Sequence, residues 1–180
     1  RETTLAADGS PIARPGHAHT SVHFEYDTQG HMVGRTFEDG QGHPINSHLG
    51  YARITWTRTR DDAGKQTRAI ETYNADGELT RRWGQPYARR IERVNSTGRV
   101  VEESYYDAQK KPTVDQEGRV HRVIRRYGST GDLVEERFKD VAGQPVVHME
   151  KGAEWVRSTY GDHGRILRRD LLDGGGQPMA

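Results

Sequence analysis

Gly131-Asp-Leu-Val-Glu-Glu-Arg-Phe-Lys-Asp140-Val-Ala-Gly-Gln-Pro145 is the stretch whose reading settles the fold class. A glycine opens it, an arm rich in β-branched and aromatic residues follows, and a turn-like hexad from Asp140 to Pro145 closes it. An arm this short between turn signals has strand length, not helix length. Val134, Glu136 and Phe138 then share one strand face, at i, i+2 and i+4. Asp bonds its own backbone locally, and Gly takes positive φ without steric penalty, so both flanks read as turns. Gly98-Arg-Val-Val-Glu-Glu-Ser-Tyr-Tyr-Asp107 and Gly164-Arg-Ile-Leu-Arg-Arg-Asp-Leu-Leu-Asp173 follow the same design.

The closing turn recurs along the chain. It stands at Asp39–Pro44, Asp107–Pro112, Asp140–Pro145 and Asp173–Pro178, and in looser form at Ala6–Pro11 and Asn74–Leu79. Its last positions are 11, 44, 79, 112, 145 and 178, which gives steps of 33, 35, 33, 33 and 33. Gly30, Gly64, Gly98, Gly131 and Gly164 keep the same beat, each closing a tetrad that starts at Asp27, Asp61, Asn95, Gly128 or Gly161. A further glycine (Gly16, Gly50, Gly118, Gly152) marks a bend after a short strand such as Pro145–His148. A second firm strand ends each longer arm, at Ser21–Tyr26, Val120–Tyr127 and Trp155–Tyr160.

This metre predicts an all-β chain: an antiparallel β-hairpin repeat array of about five 33-residue units, forming a curved sheet or β-solenoid. The units fall at 1–34, 35–68, 69–101, 102–134 and 135–167, with a partial unit at 168–180, in one domain. The unit from Glu71 to Thr97 lacks the proline, carries Trp83-Gly-Gln-Pro86 and has extra residues, so a bulge or protruding loop is expected there. No segment holds a capped 3.6-residue period. The expected core is the recurrent apolar set: Val33, Val101, Val134 and Leu167; Phe37, Tyr105, Phe138 and Leu171; Tyr26, Tyr127 and Tyr160; Val22, Trp56, Val123 and Val156. The chain opens at Arg1 and closes at Ala180, both inside a unit, as expected of a slice from a longer array.

Composition narrows the function. Charge is balanced at 27 basic against 26 acidic residues, which argues against a disordered polyelectrolyte. No apolar run is long enough for a membrane-spanning helix. With no cysteine, disulfides, thiolate metal sites and a Cys nucleophile drop out.

Tyr26-Asp27-Thr-Gln-Gly30, Tyr106-Asp107 and the Gly-Arg-(Val/Ile) step at Gly98 and Gly164 resemble the bacterial YD repeats, also called RHS repeats. The resemblance covers nearly the whole chain in rhythm, although Tyr127 and Tyr160 are followed by Gly and the period is longer than a typical YD unit. It implies a secreted, periplasmic or cell-surface strand array that forms a shell, stalk or binding surface within a larger protein.

Six of the nine histidines precede residue 50. In an extended backbone His17, His19 and His23 share a face, and imidazoles at i, i+2 can chelate Zn²⁺ or Cu²⁺. The alternative is an exposed polar face without a fourth ligand. No cofactor is expected. Arginine outnumbers lysine 22 to 5. Arg89, Arg90 and Arg93 recur one unit later as Arg122, Arg125 and Arg126, beside Trp83 and Tyr87 as stacking surfaces. Such a ladder fits a protein partner, or a nucleic acid or glycan in which Trp56 and Trp155 also take part. Against the polyanion, Glu102, Glu103, Glu135 and Glu136 on the neighbouring arm can pair with those arginines across a hairpin. Catalytic motifs are missing: there is no Gly-x-Ser-x-Gly elbow and no Gly-x-x-x-x-Gly-Lys-(Ser/Thr) phosphate loop. The expected function is therefore non-catalytic, with a protein partner or further units of the same chain as the binding target.

Overall fold

The computed structural model describes residues 1–10, 12–13, 16–61 and 64–179. Pro11 of the first closing turn, and Asp62 and Ala63 of one tetrad, lie outside them. The described chain is all-β. Its strands are β1 (Glu2–Thr3), β2 (Ser21–Tyr26), β3 (Met32–Glu38), β4 (Arg53–Arg60), β5 (Gln66–Tyr73) and β6 (Arg89–Val94). They continue as β7 (Val100–Tyr106), β8 (Arg122–Tyr127), β9 (Leu133–Lys139), β10 (Trp155–Tyr160) and β11 (Ile166–Leu172). All eleven lie in one open sheet in sequence order, every neighbouring pair antiparallel. The helical content of the described residues is a single 3₁₀ turn at Asp162–Gly164, so no helix there is long and apolar enough to cross a membrane.

Both sets of turns form where the spacing marks them. At Asp140 the backbone N–H donates to the Gln144 carbonyl at 2.9 Å, and the Gly143 N–H donates to the Asp140 carbonyl at 3.1 Å. The Asp140 carboxylate accepts from the N–H groups of Ala142 and Gln144, at 2.9 and 2.8 Å. This is a three-residue hairpin loop whose last residue must be left-handed, and Gly143 has φ of 80°. Asp27, Asp39, Asn74, Asn95, Asp107 and Asp173 build the same loop. In the Asp107 loop the left-handed place is held by Lys110, at φ of 60°. Bulges beside the tight turns of β2–β3, β6–β7, β8–β9 and β10–β11 add right-handed twist.

After the closing turns at Asp39, Asn74, Asp107 and Asp140 the chain doubles back over one sheet face before the next strand begins. Pro145 bridges to Lys139 and His148 to Ala153, so the short strand expected at Pro145–His148 is a pair of isolated bridges. This return segment is stitched to the sheet at both ends: Val146 N–H donates to the Phe138 carbonyl, and Phe138 N–H donates to the Glu154 carbonyl. Under it lies the core cluster of Val120, Val123, Phe138, Ala153 and Val156, with Val146 and Met179 packed against it. Phe37, Tyr105, Phe138, Val123 and Val156 are buried as the sequence suggests. Tyr26, Leu167 and Leu171 are exposed instead. The core gains Tyr51, Ala52, Ala88, Val120 and Ala153 from the return segments themselves. Full burial of a side chain such as Phe138 contributes about 1.5–3 kcal/mol.

One place breaks the pattern. Thr72 bonds its return segment as Phe37, Tyr105 and Phe138 bond theirs, yet has a short hydroxyl side chain where they have an aromatic ring. That hydroxyl donates to the Thr80 carbonyl at 2.6 Å and lies 3.3 Å from the Ala88 carbonyl. The adjoining loop leaves Trp83 79% exposed, but it is no longer than its counterparts: the extra residues expected there lengthen β4 and β5 instead, to eight residues each.

Candidate interaction surface

Register decides where the arginines go. Val123 pairs with Phe138, Arg125 with Glu136 and Arg90 with Tyr105, so Arg90 and Arg125 lie on the covered face. Arg89, Arg93, Arg122 and Arg126 have the opposite parity and lie on the other face. The six candidates thus form two sets and not one ladder.

Each of them meets a carboxylate. On the covered face the pairs run as a ribbon across four strands: Glu92–Arg90 at 2.9 Å, Arg90–Glu103 at 3.3 Å, Glu103–Arg125 at 2.9 Å and Arg125–Glu136 at 3.2 Å. Lys151, from the return segment before β10, ends the ribbon on Glu136. The Glu103 and Glu136 side chains are only 11% exposed. Burial pushes the Glu136 carboxyl up, but Lys151 and Arg125 outweigh it and hold the group below its usual range. Burial alone would lower the Arg125 guanidinium, and Glu103 and Glu136 raise it instead. On the opposite face Arg89 meets Glu71 at 3.3 Å, Arg93 meets Glu102 at 3.4 Å, Arg122 meets Glu102 at 3.6 Å and Arg126 meets Glu135 at 2.9 Å. Hydrogen bonding from Arg126 holds the Glu135 carboxyl low.

Tyr87 and Trp83 part company. The Tyr87 ring turns inward against Tyr105, with centroids 4.9 Å apart, and burial pushes both phenols up. They line a cavity of about 250 Å³ with Arg125, Asp115, His148 and Lys151. Among its acids, Asp115 is structurally engaged, accepting from the Val120 and Gly118 N–H groups, and Glu103 and Glu136 belong to the ion-pair ribbon. His148 is packed on Phe138, and its pKa is lowered by burial first and by Lys151 second. Trp83 projects outward at the rim of an open cleft of about 670 Å³, which His48, Arg81, Arg82 and Pro86 also line. Its backbone N–H donates to the Leu49 carbonyl at 2.7 Å, so the previous return segment braces the loop. Trp155 is buried between Arg137 and Arg157, whose guanidinium carbons lie 4.0 and 4.5 Å from its ring centre. Trp56 is half-buried in β4.

The histidines do not share a strand face, because β2 starts only at Ser21. His23 sits in that strand, exposed, opposite Thr36. His17 and His19 precede it and stack edge-on at 5.1 Å, and His48 joins His17 at 5.0 Å. Among the described residues no group of three or more His, Cys, Asp or Glu is placed to hold a metal ion. Sequence reasoning missed Lys151, His48, Arg81 and Arg82, which sit on return segments outside the strand alternation. The surplus of arginine over lysine was the one available signal. No protein-family model matches the chain, and no curated protein matches it either.

Proposed function

We propose that the chain is a non-catalytic β-repeat module of the YD/RHS-like kind, serving as scaffold, shell or protein-interaction surface of a larger extracytoplasmic bacterial protein. On this reading the turns at 33-residue steps are the unit boundaries, and each return segment supplies its neighbour's missing core, as stacked repeats do. The observation that carries the reading is Trp83. A large side chain left 79% exposed on a braced loop is what an interface anchor needs, while Arg89, Arg90, Arg93, Arg122, Arg125 and Arg126 are paired with carboxylates of the same chain.

A second reading, polyanion or glycan binding, is favoured by the Trp83 cleft alone. Arg81 and Arg82 make no ion pair among the described residues, and His48 stands beside them. A display library of extended peptides, selected on the wild-type chain and counter-selected on Trp83→Ala, tests the first reading. Ligands lost on that variant but insensitive to salt support it, and an empty selection rejects it. Heparin oligosaccharide serves as the polyanion probe. Binding that falls steeply between about 50 and 200 mM salt would install the second reading in its place.

A further inference from the structure

We propose that the open cleft beside Trp83 seats one carboxylate, the side chain of an aspartate or glutamate that a partner protein presents next to an apolar residue. The proposal rests on the interaction-scaffold reading and adds the partner's chemistry.

The cleft lies between two successive return segments. Ser47, His48 and Gly50 come from the segment before β4, and the stretch from Thr80 to Pro86 comes from the segment before β6. Both walls are interior, with strands of the same sheet on either side of them, so the lining does not depend on the ends of the chain.

Equivalent places in the other return segments show what this one lacks. The third residue after the closing turn is Ser47, Asp115 or His148 elsewhere, and Arg82 here. Ser47 Oγ accepts from the Leu49 N–H at 3.3 Å, and the Asp115 carboxylate accepts from the Gly118 and Val120 N–H groups at 3.3 and 2.9 Å. His148 packs on Phe138. A guanidinium has no acceptor to offer. In the Trp83 segment the N–H groups of Arg81 and Gly84, two residues that line the cleft, make no hydrogen bond among the described residues.

Charge is inverted as well. The fifth residue after the turn is Glu117 or Glu150 in the next two segments, and Gly84 here. The cleft is lined by Arg81 and Arg82 and by no carboxylate among the described residues. Neither guanidinium makes an ion pair, a hydrogen bond or an aromatic contact among them. Donors without acceptors beside cations without anions fit a carboxylate. The exposed Trp83 ring and Pro86 receive its apolar neighbour.

The surroundings limit the ligand to one acid. Asp115 and Glu117 of the next return segment line the cavity that shares Gln85 with this cleft. A long polyanion leaving on that side meets their charge, and a single carboxylate does not. The cleft is open, with room for the partner's chain to run on past the acid, so the group is a side chain. Two copies of this chain meeting here across a twofold axis would set Arg81 and Arg82 against themselves, so the occupant is a different protein.

The test is a display library of extended peptides selected on the whole chain. Ligands whose binding is lost on Trp83→Ala are sequenced, then remade with Asn for Asp or Gln for Glu. They share one acid at a fixed distance from an apolar residue, and the amide replacement weakens them at least about tenfold. The double substitution Arg81→Glu, Arg82→Glu abolishes their binding and restores that of ligands remade with Lys in place of the acid. Bound ligand slows amide exchange of Arg81 and Gly84, and affinity changes less than about threefold from roughly 50 to 200 mM salt. Trp83-dependent ligands that lack an acid, that bind equally well with the amide, or that leave both amides unprotected overturn the proposal and leave the scaffold reading standing. Binding that falls steeply with salt overturns it in favour of a polyanion. Self-association that is lost on Trp83→Ala gives the cleft to a second copy and also overturns it. An empty selection removes the proposal and the scaffold reading together.

Discussion

Arg125 and Arg126 are adjacent in β8 and each bonds a glutamate of β9, yet they sit in different surroundings. Arg125 lies between Glu103 and Glu136 under a return segment, with 21% of its side chain exposed. Arg126 reaches Glu135 on the opposite face, with 63% exposed. A strand sends successive side chains to opposite faces, so one residue step separates a sealed ion pair from a solvated one. Removing one partner of a buried pair strands the other's charge in low dielectric, whereas an exposed pair loses little that water does not restore.

The largest effect expected from this contrast is on Arg125→Met, which leaves Glu103 and Glu136 without their shared cation and should cost about 3 kcal/mol in urea unfolding. A loss under ~1 kcal/mol would mean that the covered face is wet. Acid should weaken the same region in two stages. His148 has a folded pKa below its ordinary 6.5, so the unfolded chain binds its proton first and stability declines as pH drops below that value. Glu136 and Glu135 lie below their ordinary 4.5, so the stability present above it is lost as pH falls further through their folded values. Melting temperature followed from pH 8 to 3 should show both declines. His148→Asn should remove the first, and Glu136→Gln should flatten the second. Lys110→Gly relieves a left-handed lysine at φ of 60° and should raise stability by up to about 1 kcal/mol, read as a shift in urea midpoint. Smallest of all, Arg126→Met should leave the unfolding midpoint unchanged within error.

The turns were the legible part of this chain. Their signals are local: Asp140 and Gly143 specify a loop through bonds within five residues, whatever surrounds them. Strand positions followed, because little chain is left between the turns. The cover was not legible. Tyr51, Val120 and Ala153 are buried by the doubling-back of return segments, a tertiary event that the two-residue alternation of a strand does not reveal. The arginine ladder split for the same kind of reason: Arg89 and Arg90 are neighbours in the sequence but belong to opposite faces. The extended face expected of His17, His19 and His23 required a strand starting several residues before Ser21, and the return segment occupies that stretch. The exposure of Trp83 was not readable from spacing, since its loop keeps the ordinary step and the two added residues before Leu79 extend β4 and β5 within the sheet.

The account stands on return segments that close over one sheet face, and native-state hydrogen exchange reports on them directly. The amides of Tyr105, His121 and Phe138, bonded to the carbonyls of His121, Lys139 and Glu154, should exchange slowly and as one group, while those of Arg81 and Gly84 in the Trp83 loop, which make no hydrogen bond among the described residues, exchange fast. Exchange of Tyr105 and Phe138 at the rate of Gly84 would contradict it.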